Sequence, residues 1–216
     1  KYIQTDDKNK KDRTVISVPL KRPLAAGETI ELNISFKAIL PKIFARTGYG
    51  ANDYYLIGQW FPKIGVFERN EAGLYSWNCH QFHADSEFYA DFGKYKVSIT
   101  LPEHLILGAT GKEKSVIKLK GGLKTVVFEA DDVHDFAWTA SPAFKVYKKK
   151  WKHVELVALM QPEHASQYKR YFDAAEKSLN YFEKVMGKYP HQTLTLVDPP
   201  LESSGSIGME YPTFVT

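Results

Sequence analysis

The hydrophobic period of this chain lengthens after Met160, and that change constrains it to a run of strands followed by a long helix. Residues Glu28 to Ala38 alternate, with Ile30, Leu32, Ile34, Phe36 and Ala38 on one face and Glu31, Asn33, Ser35 and Lys37 on the other. That is the period of two expected of a half-buried strand. Lys94 to Leu101 repeats it, with Tyr95, Val97, Ile99 and Leu101 facing in, and Pro102 ends the run. Val116–Lys120, Gly121-Gly122 and Leu123–Phe128 read as a hairpin, because paired glycines accept the positive φ of a tight turn. Thr14–Val18, Tyr54–Ile57, Ala143–Tyr147 and Val154–Leu159 are further predicted strands. Short strands at this spacing predict a β-sandwich or a curved open sheet.

After Met160 the period lengthens. Pro162-Glu163 suits a first helical turn, and Tyr168, Tyr171, Phe172, Ala175, Leu179, Phe182 and Met186 recur every three or four residues. Gly187 is placed to close this helix in the left-handed conformation, with Lys184 and Lys188 at the negative end of its dipole. Thr193–Val197 then reads as another strand. The order predicts a β domain over residues 1–158 and the opening of a mixed α/β domain over residues 159–216.

Composition adds mainly exclusions. Of 216 residues 44% are apolar and 25% charged, enough apolar material for a packed core. Aromatic content of 14% favours strands. A net charge of +4 from 29 basic and 25 acidic residues is too balanced to argue for nucleic acid. Lys148-Lys149-Lys150-Trp151-Lys152 is the one dense basic run and reads as a solvated strand end. A single Cys79 excludes an intramolecular disulfide and a cysteine-based zinc knuckle. No stretch approaches the roughly 20 apolar residues that span a bilayer. The chain begins Lys1-Tyr2-Ile3, which is not a signal peptide, and a start inside a longer protein leaves the compartment open.

Candidate chemistry is sparse. His80 and His83 sit three residues apart, but the surrounding sequence does not read as a helix that would aim both at one metal. His104, His134, His153, His164 and His191 share no spacing, and no His-Glu-x-x-His occurs. Gly108-Ala109-Thr110-Gly111 reads as a turn rather than a phosphate cradle. Trp60 and Trp77 admit two readings, a carbohydrate-binding surface or core packing.

Four segments, in order, resemble the zinc aminopeptidases typified by aminopeptidase N. They are Tyr54-Tyr55-Leu56-Ile57-Gly58-Gln59-Trp60-Phe61-Pro62-Lys63; Gln81-Phe82-His83-Ala84-Asp85-Ser86-Glu87; Asp135-Phe136-Ala137-Trp138-Thr139-Ala140-Ser141-Pro142; and Gly205-Ser206-Ile207-Gly208-Met209-Glu210-Tyr211-Pro212. The last is similar to the family's Gly-x-Met-Glu-Asn signature, with Ile207 in place of the first Gly and Tyr211 in place of the Asn.

The resemblance implies the front part of such a peptidase: a saddle-like N-terminal β domain, then the first helix and strands of a thermolysin-like catalytic domain. It implies a peptide substrate with a free amino end, Glu210 as counter-charge to the α-ammonium, and main-chain pairing beside Gly208 and Met209. Gln81 and His83 correspond to the residues that reach the same amine from the β domain, with Asp85 or Glu87 as substitute carboxylates. Zinc is expected in the parent protein, held by ligands outside this chain, so the fragment alone is expected to bind no metal and to be inactive. A non-catalytic scaffold that keeps the architecture and binds a protein partner is the alternative.

Overall fold

The structure is a computed structural model, and it describes residues 1–43, 47–83 and 89–200 together with the backbone of Phe214–Val215. The described chain is mainly β, built of several antiparallel ladders and one long helix. It divides into two compact units, one of residues 1–37 and 61–91, the other of residues 38–60 and 92–216. Position 158, where the sequence suggests a domain boundary, lies inside a strand of the second unit.

In the first unit the only ladder of more than one residue pair among the described residues is the hairpin of β3 (Val66–Arg69) and β4 (Tyr75–Asn78). The predicted strand over Glu28–Ala38 does not form. These residues pair with no strand and lie exposed, Ile30, Leu32, Ile34 and Phe36 included. Alternation marks which side chains would share a face, but a strand also needs a neighbouring backbone to satisfy its N–H and C=O groups. Thr14–Val18 is likewise reduced to one bridge, between Tyr2 and Ile16.

The second unit holds the layers. β1 (Gly48–Tyr49), β2 (Tyr55–Ile57), β9 (Trp138–Ser141) and β6 (Ile106–Ala109) form one sheet in that order. β5 (Gly93–Pro102), β8 (Leu123–Val133) and β7 (Lys112–Leu119) form a second, with β8 central. The predicted hairpin between β7 and β8 is present, and Gly121 and Gly122 turn it at φ of 79° and 71°. Gly108 falls within β6 rather than in a turn, and a Cβ there would run into the Leu159 side chain, so the first sheet approaches its neighbour closely at this point.

The third sheet, in the order β10 (Lys145–Trp151), β11 (Val154–Met160), β12 (Thr193–Val197) and β13 (Phe214–Val215), contains the change of period. β10 and β11 form a hairpin, whereas β11 and β12 run parallel, Leu156 opposite Leu194. A parallel pair needs a crossover, supplied by a 3-10 turn at Pro162–Gln167 and the helix α1 (Tyr168–Met186). Phe172, Ala175 and Leu179 bury one stripe of α1 against Leu156, Ala158, Met160 and Leu194. Phe182 and Met186, predicted on the same stripe, lie exposed. Gly187 ends the helix at φ 95° but ψ −176°, so its positive φ is as expected while its ψ is extended rather than left-handed helical. Tyr54, Leu56, Phe144, Leu159 and Val197 form a further cluster that joins the first sheet to the third.

Candidate functional site

Gly208, Met209 and Glu210, with Ile207 and Tyr211, lie outside the described residues, as do Asp85 and Glu87. What is described on either side of the Glu210 stretch is the carboxyl end of β12 and the short strand β13. Leu194 pairs with Val215 and Thr195 with Phe214, antiparallel, so β13 returns along β12.

At the carboxyl end of β12 stands Asp198, only 3% exposed. Its N–H donates to Leu159 O at 2.9 Å, extending the parallel ladder by one residue. Its carboxylate gathers donors from the crossover: the Gln161 N–H at 2.9 Å, His164 Nδ1 at 3.0 and 3.1 Å from the two oxygens, and the Tyr171 hydroxyl at 3.2 Å. Burial, and next the Asp198 charge, push the Tyr171 hydroxyl pKa up, which keeps it a proton donor. Gln161 is also buried, and its Nε2 has no partner among the described residues. An imidazole held through Nδ1 keeps Nε2 for a ligand or a proton. The sequence carries one local sign of this cluster, an Asp that ends the apolar run Thr193–Val197. Its partners lie 27 to 37 residues earlier, and no periodicity connects them.

In the first unit Gln81 and His83 are engaged with the chain's own amino-terminal segment. Gln81 is 3% exposed. Its Oε1 accepts the N–H of Asp7 at 3.1 Å and of Asp6 at 3.4 Å, and its Nε2 donates to Asp7 Oδ1 at 3.0 Å. The amide oxygen that the resemblance offers to a substrate ammonium is therefore taken up by two backbone donors. His83 Nε2 lies 2.7 Å from Asp6 Oδ2, and His80 Nδ1 lies 3.2 Å from the same atom. The hydrogen bond from His83 holds the Asp6 carboxyl well below the usual carboxylate range, and the same bond raises the His83 pKa. A ring nitrogen that faces a carboxylate donates to it and cannot accept from an ammonium, so this arrangement suits Asp6 rather than a substrate amine.

Two segments singled out in the sequence do meet. Tyr55, Leu56 and Ile57 pair with Ala140, Thr139 and Trp138, and the Thr139 hydroxyl donates to Tyr55 O at 2.7 Å. Trp60 Nε1 donates to Phe136 O at 2.9 Å, and Gln59 Nε2 to Asp135 Oδ2 at 2.6 Å. Trp60 is thus a structural residue, whereas Trp77 stands on the open face of the β3–β4 hairpin.

The basic run lies on β10 and the turn after it, and three of its four lysines meet acids: Lys148 to Glu155 at 3.3 Å, Lys149 to Glu176 at 2.8 Å, and Lys152 to Glu183. Among the described residues no group of three or more His, Cys, Asp or Glu side chains is disposed to hold a metal ion, and no helix is long and apolar enough to cross a membrane. Compared with known proteins, the chain matches no family model and no curated protein.

Proposed function

We propose that this chain is the amino-terminal part of a zinc-dependent aminopeptidase, with a saddle-like β domain leading into the first helix and strands of a thermolysin-like domain. The single observation that carries the reading is the Gly208-Met209-Glu210 stretch directly ahead of β13. β13 is the terminal strand of its sheet in the described order, and a substrate strand can add to such an edge through main-chain hydrogen bonds. The pairing of Tyr55–Ile57 with Trp138–Ala140 supports it, since it joins two of the four segments that carry the resemblance. The β11–α1–β12 crossover supports it too, as a mixed α/β unit following a β-rich region.

Glu210 supplies the negative charge that a desolvated α-ammonium requires. Gly208 and Met209 provide main-chain pairing beside it. Gln81 and His83 are committed to the Asp6–Asn9 segment, so the reading assigns amine recognition to Glu210 alone. The zinc ligands and the general base belong to the parent protein, for the 216 residues contain no His-Glu-x-x-His.

The test is made on the intact parent. It is expected to contain one zinc per chain and to hydrolyse aminoacyl-p-nitroanilides, and Glu210→Gln is expected to lower kcat/KM about 100-fold, near 3 kcal/mol of lost charge pairing. N-acetylated substrates, which lack the ammonium, should be refused by the wild type. A parent without zinc and without activity assigns the chain to a non-catalytic binding module. A zinc-containing, active parent whose Glu210→Gln variant keeps full kcat/KM retains the family reading and removes Glu210 from the site.

A further inference from the structure

The β3–β4 hairpin has two unlike faces. Inward, Val66 is buried, and Glu68 accepts hydrogen bonds from Asn78 Nδ2 at 2.6 Å and from the Tyr89 hydroxyl at 2.9 Å. Outward, Phe67, Trp77 and Tyr75 are 53%, 63% and 68% exposed. Phe67 stands directly opposite Trp77 in the register, and Arg69 opposite Tyr75. The Phe67 ring lies 5.0 Å from the Trp77 ring at a tilt of 56°, and 5.9 Å from the Tyr75 ring, stacked at 25°. Cross-strand pairing thus holds three aromatic rings side by side in water, where isolated exposed rings would be ordinary and a contiguous set is not. A shifted register does not account for it, because the polar and buried partners of the other face are already satisfied.

Arg69 adds a charge to this platform. Its Nε donates to Gly73 O at 2.8 Å, which fixes the guanidinium plane at the turn, while Nη1 and Nη2 have no partner among the described residues. A planar fork of free donors matches a carboxylate two-point fashion. A pyranose ring presents an apolar C–H face that stacks on an aromatic ring and a rim of hydroxyls, and a uronic acid adds one carboxylate. Single-stranded nucleic acid also stacks on aromatic rings, but it requires a row of cations along its backbone, and the β3–β4 strands contribute one, Arg69. An amphipathic helix requires a groove with two walls, which one face of a two-stranded ribbon does not supply.

We propose that the outward face of the β3–β4 hairpin binds an acidic oligosaccharide, with a uronate ring stacked on Trp77, Phe67 beside it, and its carboxylate held by Arg69. This is independent of the peptidase reading and needs neither zinc nor Glu210.

Calorimetric titration of the 216-residue chain with tetragalacturonate, cellotetraose and a ten-residue oligothymidylate tests it. Tetragalacturonate is expected to bind with a Kd of about 1 mM or tighter, at least tenfold below cellotetraose. Trp77→Ala should weaken the uronate about tenfold, and Trp77→Phe, which keeps a ring, should restore most of the affinity. Arg69→Gln, at an exposed position that leaves the ladder intact, should bring the two sugars to equal affinity. No heat from either sugar at about 5 mM overturns the proposal, as does a Trp77→Ala chain that binds unchanged. Equal binding of both sugars by the wild type removes the role of Arg69, and tighter binding of oligothymidylate assigns the face to nucleic acid instead.

Discussion

The two units of this chain use similar residues to different ends. Residues 38–60 and 92–216 bury nearly every core side chain, in clusters around Phe144 and Leu159 and between α1 and β11. Residues 1–37 and 61–91 bury one apolar side chain among those described, Val66, although Ile30, Leu32, Ile34 and Phe36 alternate as regularly as any strand in the other unit. What joins the first unit is polar: Gln81 and Asp6 tie the segment at Asp6–Asn9 to the segment at His80–His83. The difference teaches that a period of two selects a face, while burial and a ladder decide whether the strand exists.

The comparison breaks most readily at the core. Phe144→Ala, which empties a fully buried site between two sheets, is expected to cost about 3–5 kcal/mol in urea denaturation. Ile34→Ala, exposed in the first unit, should change stability by less than about 0.5 kcal/mol. Comparable losses for the two would mean that the first unit has a core of its own.

A smaller effect is expected at Asp198. Asp198→Ala leaves His164, Tyr171 and the Gln161 N–H without their shared acceptor and should cost about 2–3 kcal/mol. Asp198→Asn, which keeps one carbonyl oxygen, should cost less, and an alanine variant as stable as the wild type would show that water replaces the carboxylate.

The smallest effect belongs to the first unit, where the Asp6–His83 pair is exposed. Asp6 is shifted down from its ordinary 3.8, so its contribution is present above that value and is lost as acid protonates it below. His83 is shifted up from 6.5, so its contribution is full below that value and is lost as pH rises through the higher folded value. The pair therefore orders the 6–14 and 80–83 segments best between about pH 4 and pH 6.5. Amide protection at Gln81 and Phe82 followed by NMR should peak in that window. A flat profile would mean that Gln81, together with the Phe82 N–H bonded to Asp12 and Thr14, holds the segments without the pair.

Much of the second unit was legible. The alternation of Lys94–Leu101, the Gly121-Gly122 turn and the lengthened period after Met160 each correspond to an element within a few residues of its predicted limits. These are local signals, set by side-chain spacing and by φ preferences that neighbouring residues impose on one another. The site was less legible. Asp198 and its partners come from separate elements, and Gln81 reads as an open amide until Asp6 and Asp7 are seen to occupy it.

The sequence by itself determined which stretches favour strand, turn or helix, because those preferences arise within a few residues of backbone and side-chain geometry. It also contains the Gly208-Met209-Glu210 stretch on which the proposed activity rests. Only the tertiary structure decided that Glu28–Ala38 is not a strand, that Trp60 is anchored while Trp77 is open, and that Asp198 is a buried meeting point. Each of these depends on what lies across the fold rather than along the chain. Hydrogen-bond partners and burial are supplied by residues tens of positions away, and no local pattern specifies them.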